Sequence, residues 1–243
     1  MDTNALIGYT GFVGSNILEQ KDFDFCYNSK NIKDIDGMEF DLVVCAGVSG
    51  VKWKANKFPK EDYDQIMNLV KYLDKTKFKR MVLISTGSVY DNPADNAYGG
   101  NRLYLENYLK NNYNNITIIR LPSLFGNGLK KNALYDLLNN NFDYLPNINS
   151  TFQYYDLSDI WNDIKIALDN NLKIVNFGTE PMEFYKILDL FSIDSLDISR
   201  NKPVLSDDVQ TSKAQYWGKT GHYLYTVEEI FTKLQKFVEN NRN

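Results

Sequence analysis

Three glycines at a strand-to-helix junction constrain this chain more than any other feature. Ala5, Leu6 and Ile7 run straight into Gly8-Tyr9-Thr10-Gly11-Phe12-Val13-Gly14, and Ser15 to Glu19 then reads as helix. A turn in this place lets the backbone approach a pyrophosphate and aims helix N-terminal amides at it, where side chains would block both. The spacing alone is also compatible with a tight packing turn that binds nothing. Its position on a first strand points to a dinucleotide.

The rest of the chain supplies the sheet such a turn needs. Ala5 to Ile7, Phe23 to Tyr27, Asp41 to Cys45, Arg80 to Ser85 and Ile116 to Arg120 are short apolar runs with helical segments between them, which predicts an α/β protein with a doubly wound parallel sheet. Leu42 to Cys45 and Met81 to Ile84 lack polar alternation, as strands covered on both faces should. Glu61 to Lys75 carries Ile66, Leu69, Val70 and Leu73 at helical spacing, and Tyr98 to Tyr113 does so with Leu105, Tyr108 and Leu109. After Arg120 the texture changes to Pro122, Gly126, Gly128, Pro146 and several asparagines, followed by an expected strand over Thr151 to Tyr155 and an expected helix over Asp156 to Leu168. Thr226 to Asn240 is an amphipathic helix. Residues 1–122 are expected to form the dinucleotide-binding core. Residues 123–243 are expected to form a mixed region with a small C-terminal substrate lobe and returning core elements, the whole being one compact unit.

Composition narrows the partners. At 243 residues, with 27 basic and 31 acidic side chains and no long run of either sign, the chain is a poor fit to nucleic acid or an anionic membrane. With one histidine, His222, and two unclustered cysteines, no zinc-type ligand set can be assembled and no metal is expected, although the composition leaves an oxygen-ligand site open. Cys26 and Cys45 lie in apolar runs and are expected to pack in the core. No signal peptide or spanning stretch is read, so a cytoplasmic protein is expected.

The end of the second strand reads the adenosine ribose in folds of this kind, an acidic side chain favouring NAD and a basic one NADP. Here it is Tyr27-Asn28-Ser29-Lys30, with no carboxylate before Asp34. Ser29 and Lys30 suit a 2′-phosphate, which favours NADP(H) over NAD(H); a solvated loop lysine is the plainer alternative.

Ser85-Thr86-Gly87-Ser88-Val89-Tyr90 closes the fourth strand, and Tyr98-Gly99-Gly100-Asn101-Arg102 follows about a dozen residues later. Together with the glycine turn, these residues resemble the short-chain dehydrogenase/reductase superfamily, in particular its extended branch of NAD(P)-dependent nucleotide-sugar epimerases, dehydratases and 4-keto reductases. The resemblance runs over nearly the whole chain and includes Asp41 to Gly47, Ile118 to Gly126, Phe152 to Ile160 and Thr211 to Val238. It implies a Rossmann-type fold and an oxidoreductase site. Tyr98 would be the acid/base, Thr86 the hydroxyl that orients the substrate oxygen, and Arg102 the cation that favours a phenolate and holds the nicotinamide ribose. Residues four apart share a helix face, so Tyr98 and Arg102 can both face one cleft. The resemblance further implies that Gly8, Thr10, Gly11, Phe12, Val13, Gly14, Ser29, Lys30, Ala46, Gly47, Tyr98, Arg102 and Leu121 meet the cofactor. Thr86, Ser88 and Ser123 would meet the substrate.

The departures matter as much. The family pattern has lysine at position 102, and arginine keeps the charge but is a wider, planar donor. Gly87-Ser88 stands where the dehydratases have Asp-Glu, which argues against water elimination. The stretches Gly126 to Thr151 and Asp194 to Pro203 are short for the family, so a reduced substrate pocket is expected. The reading is therefore modification of a nucleotide-linked sugar by hydride transfer, as 4-keto reduction or epimerisation, with reduction favoured. The alternative is a catalytically impaired dinucleotide sensor or partner subunit. A homodimer through Glu61 to Lys75 and Tyr98 to Tyr113 is implied by the same resemblance.

Overall fold

The runs without polar alternation become the middle of a parallel sheet. In the computed structural model, which describes residues 3–92, 94–193 and 201–242, the strands are β1 (Asn4–Ile7), β2 (Phe25–Tyr27), β3 (Glu39–Cys45), β4 (Lys77–Thr86), β5 (Ile116–Leu121), β6 (Ser123–Phe125), β7 (Thr151–Phe152), β8 (Tyr154–Asp156), β9 (Ile174–Asn176) and β10 (Met182–Glu183). The helices are α1 (Phe12–Gln20), α2 (Lys52–Lys57), α3 (Pro59–Leu73), α4 (Ala97–Asn112), α5 (Ala133–Leu138), α6 (Ile160–Asp169), α7 (Phe184–Asp189) and α8 (Val227–Asn241). Two compact units emerge, one reaching Leu121 and taking back Ser158–Asn176, the other made of Pro122–Leu157 and the chain from Phe177 onward.

The first unit holds a six-stranded sheet in the order β2-β1-β3-β4-β5-β9, with every pairing parallel. This is the doubly wound Rossmann-type arrangement: α1 packs beside α6, while α2, α3 and α4 pack with one another. Val43, Val44, Cys45, Met81, Val82 and Leu83 are buried in its two middle strands. The face under α3 and α4 is filled by Ile66, Leu69, Leu73, Leu105 and Leu109, each such side chain gaining about 1.5–3 kcal/mol on burial. The strand order reverses between β1 and β3, the place where open α/β sheets take their ligands.

Several expectations are refined. The connection from β2 to β3 contains only a short 3-10 turn, Ile32–Ile35, so β2 stays an edge strand and Cys26 is half-buried rather than buried. The strand expected over Thr151 to Tyr155 is split at Gln153, whose buried amide turns away to accept from Val209 N–H and donate to the Thr179 and Val209 carbonyls. The helix expected from Asp156 begins at Ile160, after a 3-10 turn over Leu157–Asp159.

In the second unit β6 pairs with β8 in parallel and β7 with β10 in antiparallel. Their core gathers Phe125, Leu134, Phe184, Ile187, Ile230 and Leu234. Thr226 begins α8 with a reciprocal cap, its hydroxyl accepting from Glu229 N–H while the Glu229 carboxylate accepts from Thr226 N–H. Of the shortened stretch Asp194 to Pro203, residues 194–200 lie outside the described residues.

Candidate active site

The glycine turn is built by backbone contact. Gly8 has φ +89°, and a Cβ there would lie 2.4 Å from the Ala46 carbonyl oxygen. Its N–H donates to Tyr27 O at 2.7 Å, and Ala46 N–H donates to Ile7 O at 2.8 Å. The ends of β1, β2 and β3 are thereby drawn together, and with them Gly8, the Ala46-Gly47 turn and the Ser29-Lys30 loop. Ser29 and Lys30 are exposed, and Lys30 N–H donates to Asn28 Oδ1 at 2.9 Å.

Helix α1 starts at Gly11 with no side-chain cap and no acidic residue in its first turn. The N–H groups opening the helix thus have no side chain of their own to satisfy them, which is the donor set an anion needs. Thr10 and Gly11 are exposed, and Phe12 and Val13 are half-buried. At Gly11 a Cβ would meet only the Gly8 carbonyl oxygen, at 3.2 Å, a tight contact but one that demands glycine far less than those at Gly8 and Gly14. The turn fits a pyrophosphate against Gly11, Phe12, Val13 and Gly14.

Thr86 ends β4, its hydroxyl accepting from Ser88 N–H at 3.2 Å, which leaves its proton to donate. Asn96 caps α4 and also binds the Ser88 carbonyl and Asp91. A Cβ at Gly99 would stand 1.9 Å from the Ser88 carbonyl oxygen, so glycine alone lets α4 press its first turn onto the loop after Thr86. Thr86, Ser88 and Tyr98 are brought into one neighbourhood by that contact. Lys52 also reaches it, donating to Ser88 Oγ at 3.1 Å.

Tyr98, Arg102 and Glu106 follow one another at four-residue intervals on α4. Arg102 is only 3% exposed, and its guanidinium is bidentate to Asp62 of α3, with Nη1 to Oδ2 at 2.5 Å and Nη2 to Oδ1 at 2.8 Å. Nη1 donates as well to the Tyr98 carbonyl at 3.1 Å, and Nη2 to the Ser49 carbonyl at 2.6 Å. Its Cζ lies over the Tyr98 ring, 3.9 Å from the ring centroid. Each terminal nitrogen carries two N–H groups, so all four are engaged within the protein.

One turn on, Glu106 is fully buried and paired with Arg120 of β5, at 2.5 Å from Nη2 and 3.0 Å from Nε. Ser85 Oγ donates to the same carboxylate at 2.6 Å, and Arg120 Nη1 donates to Tyr90 Oη at 2.6 Å. Asn176 of β9 completes the network at Tyr90 Oη. Burial works against the Arg120 charge, but the Glu106 bonds outweigh it and hold the guanidinium above its ordinary pKa. Glu106, Asp62, Tyr90 and Asn176 escaped sequence reasoning. The available signal was Arg120 itself, a charge in the buried strand Ile116 to Leu121 that requires a partner. Leu121, opposite Thr86 in the sheet, is buried. Ser123 opens β6 in the second unit, where its N–H donates to the Gln153 carbonyl.

No protein-family model matches the chain, and no curated protein matches it. Solved structures do. UDP-N-acetylglucosamine 4-epimerase from Methanobrevibacter ruminantium M1, in complex with UDP-N-acetylmuramic acid, matches at 13% identity and TM-score 0.73 over 98% of this chain and 97% of that one. The chain shares the fold of that epimerase. UDP-glucose 4-epimerase from Thermotoga maritima, solved with UDP-glucose, matches at 15% identity and TM-score 0.70 over 99% and 100%. The Bordetella bronchiseptica enzyme WbmG, solved with NAD, matches at 14% and 0.73 over 98% and 94%.

Proposed function

We propose that this chain binds a nicotinamide dinucleotide at the β1–α1 turn and acts on a nucleotide-linked sugar by hydride transfer, as a 4-keto reductase or an epimerase of the extended short-chain dehydrogenase/reductase type. The observation that carries the proposal is the close Gly99–Ser88 contact, which sets the first turn of α4, with Tyr98, against the loop that follows Thr86 at the end of β4. Fold likeness to sugar-nucleotide epimerases supports the substrate class.

When bound, the dinucleotide supplies or accepts the hydride. The Phe12 to Gly14 amides bind its pyrophosphate, Gly11 lies bare beside it with its own N–H donated to the Gly8 carbonyl, and Ala46 and Gly47 leave room. Ser29 and Lys30 favour a 2′-phosphate, hence NADP(H). The Thr86 hydroxyl donates to the sugar oxygen and fixes it, while the Tyr98 phenol gives that oxygen a proton or takes one from it. Ser88 flanks the sugar.

A second reading rests on Arg102, whose terminal N–H groups are committed to Asp62, Ser49 and Tyr98: a dinucleotide-binding sensor or partner subunit with impaired chemistry. Thermal-shift titration with NADH and NADPH, then cofactor oxidation with a panel of 4-keto sugar nucleotides, tests the proposal. Binding of neither cofactor overturns both readings. Turnover that collapses in Tyr98→Phe with cofactor affinity intact establishes the enzyme, and binding without turnover across the panel selects the sensor.

A further inference from the structure

The ion pair beneath Tyr98 is built more elaborately than charge balance alone requires. Asp62 is 8% exposed and receives both terminal nitrogens of Arg102 end-on. Asn101 Nδ2 donates to the same carboxylate at 2.8 Å and to the Pro59 carbonyl at 3.1 Å, so the carboxylate is itself held in place at the start of α3. Tyr98 is gripped at its backbone on both sides, its N–H donating to Asn56 Oδ1 at 2.8 Å and its carbonyl accepting from Arg102. The guanidinium carbon then lies over the phenol ring, 3.9 Å from its centroid. A bidentate salt bridge and a stacked ring can be served at once only by a planar fork of donors, which an ammonium does not have.

We propose that Asp62 is a positioning residue for Tyr98: it locks the Arg102 guanidinium over the phenol ring and withholds it from the dinucleotide. This rests on the proposed function and departs from the role that resemblance assigns to Arg102. A ribose hydroxyl could claim a terminal Arg102 N–H only by displacing a buried carboxylate, the Ser49 carbonyl or the Tyr98 carbonyl. Of the five donors, Nε alone has none of these partners. Arginine at position 102 is then explained together with Asp62: the two are one device, and the pair is electrically neutral beside the ring.

The test removes the device without leaving a lone buried charge, using the full chain with Asp62→Leu and Arg102→Met combined. Expected are a dinucleotide Kd within threefold of the parent, kcat lowered tenfold or more at unchanged KM, and faster flipping of the Tyr98 ring by NMR of tyrosine-labelled protein. A Kd weakened tenfold or more overturns the proposal, because Arg102 then contacts the cofactor. So does an unchanged ring-flip rate. If the double variant does not fold, Asp62→Asn is expected to show the same faster ring flip with no loss of dinucleotide affinity, and an unchanged flip again overturns the proposal. If the parent binds dinucleotide but turns over no sugar nucleotide, the enzyme reading fails alone, and Kd and ring dynamics still decide the role of Asp62. If it binds no dinucleotide, the functional proposal falls and the ring measurement decides.

Discussion

A Cβ at Gly14 would lie 2.1 Å from the carbonyl oxygen of Gly8. No side chain fits at that separation, so α1 could not start where it does with any residue but glycine at position 14. Gly8 is bound in the same way by the Ala46 carbonyl and by its positive φ. Two of the three glycines are therefore explained by the close crossing of strand and helix, and Gly11 is left as the one that packing constrains least, which suits the ligand role proposed for it.

That division predicts opposite phenotypes. Gly14→Ala must push α1 off β1, at about 3 kcal/mol, which at roughly 2–4 °C per kcal/mol lowers Tm by roughly 6–12 °C. Gly11→Ala meets a single atom at 3.2 Å with φ −82°, so its melting temperature should stay close to the parent's. Its methyl group stands at the exposed start of α1, and dinucleotide affinity should fall tenfold or more. Melting and titration of both variants check this, and equal losses of Tm would count against the division.

The Glu106–Arg120 pair makes a second prediction. Both groups are buried, and removing one strands the other, at about 3–5 kcal/mol. Arg120→Met should lower the urea midpoint strongly, and Glu106→Leu as much or more because Ser85 Oγ also loses its acceptor. Arg120→Met with Glu106→Leu should recover most of the loss, since no lone charge remains. Strict additivity of the two single losses in a double-mutant cycle would show that the pair is not energetically coupled.

The sequence made the middle of the fold legible and its margins less so. Leu42 to Cys45 and Met81 to Ile84 declare themselves because nothing but a strand buried on both faces tolerates such runs. The strand Ile174–Asn176 was missed because three residues carry no period, and Lys52–Lys57 because this helix buries only Ala55. At the candidate site, the places of Thr86 at a strand end, Tyr98 in a first helical turn and the glycines between strand and helix are readable because strand ends and helix spacing fix them locally. Asp62 was not: it lies forty positions before Arg102 and meets it only when α3 and α4 pack side by side. Arg120 advertised the need for a partner without naming Glu106, because any carboxylate on the covering helix would have served equally well on paper.

Cys45 gives the prediction with a pH sign. It sits fully buried at the end of β3, where burial pushes its thiol up to about 11 from the ordinary 9.0, only partly offset by the Gly47 backbone bond. At pH 8 the folded chain then holds about one thiolate in a thousand at this position. A thiol-exchange reagent should leave Cys45 unmodified in the folded protein at pH 8 and reach it once the chain is unfolded. Because the folded value lies above the unfolded one, the unfolded chain releases its proton first as pH rises. The contribution to stability is intact below about pH 9 and is lost by about pH 11, amounting to about 3 kcal/mol at most. Urea unfolding of the parent and of Cys45→Ala across that window isolates the effect. The variant is less stable at pH 7 from lost packing, and the gap between the two should narrow as pH climbs from 9 to 11. A gap that stays constant would mean that the thiol does not titrate differently in the folded state.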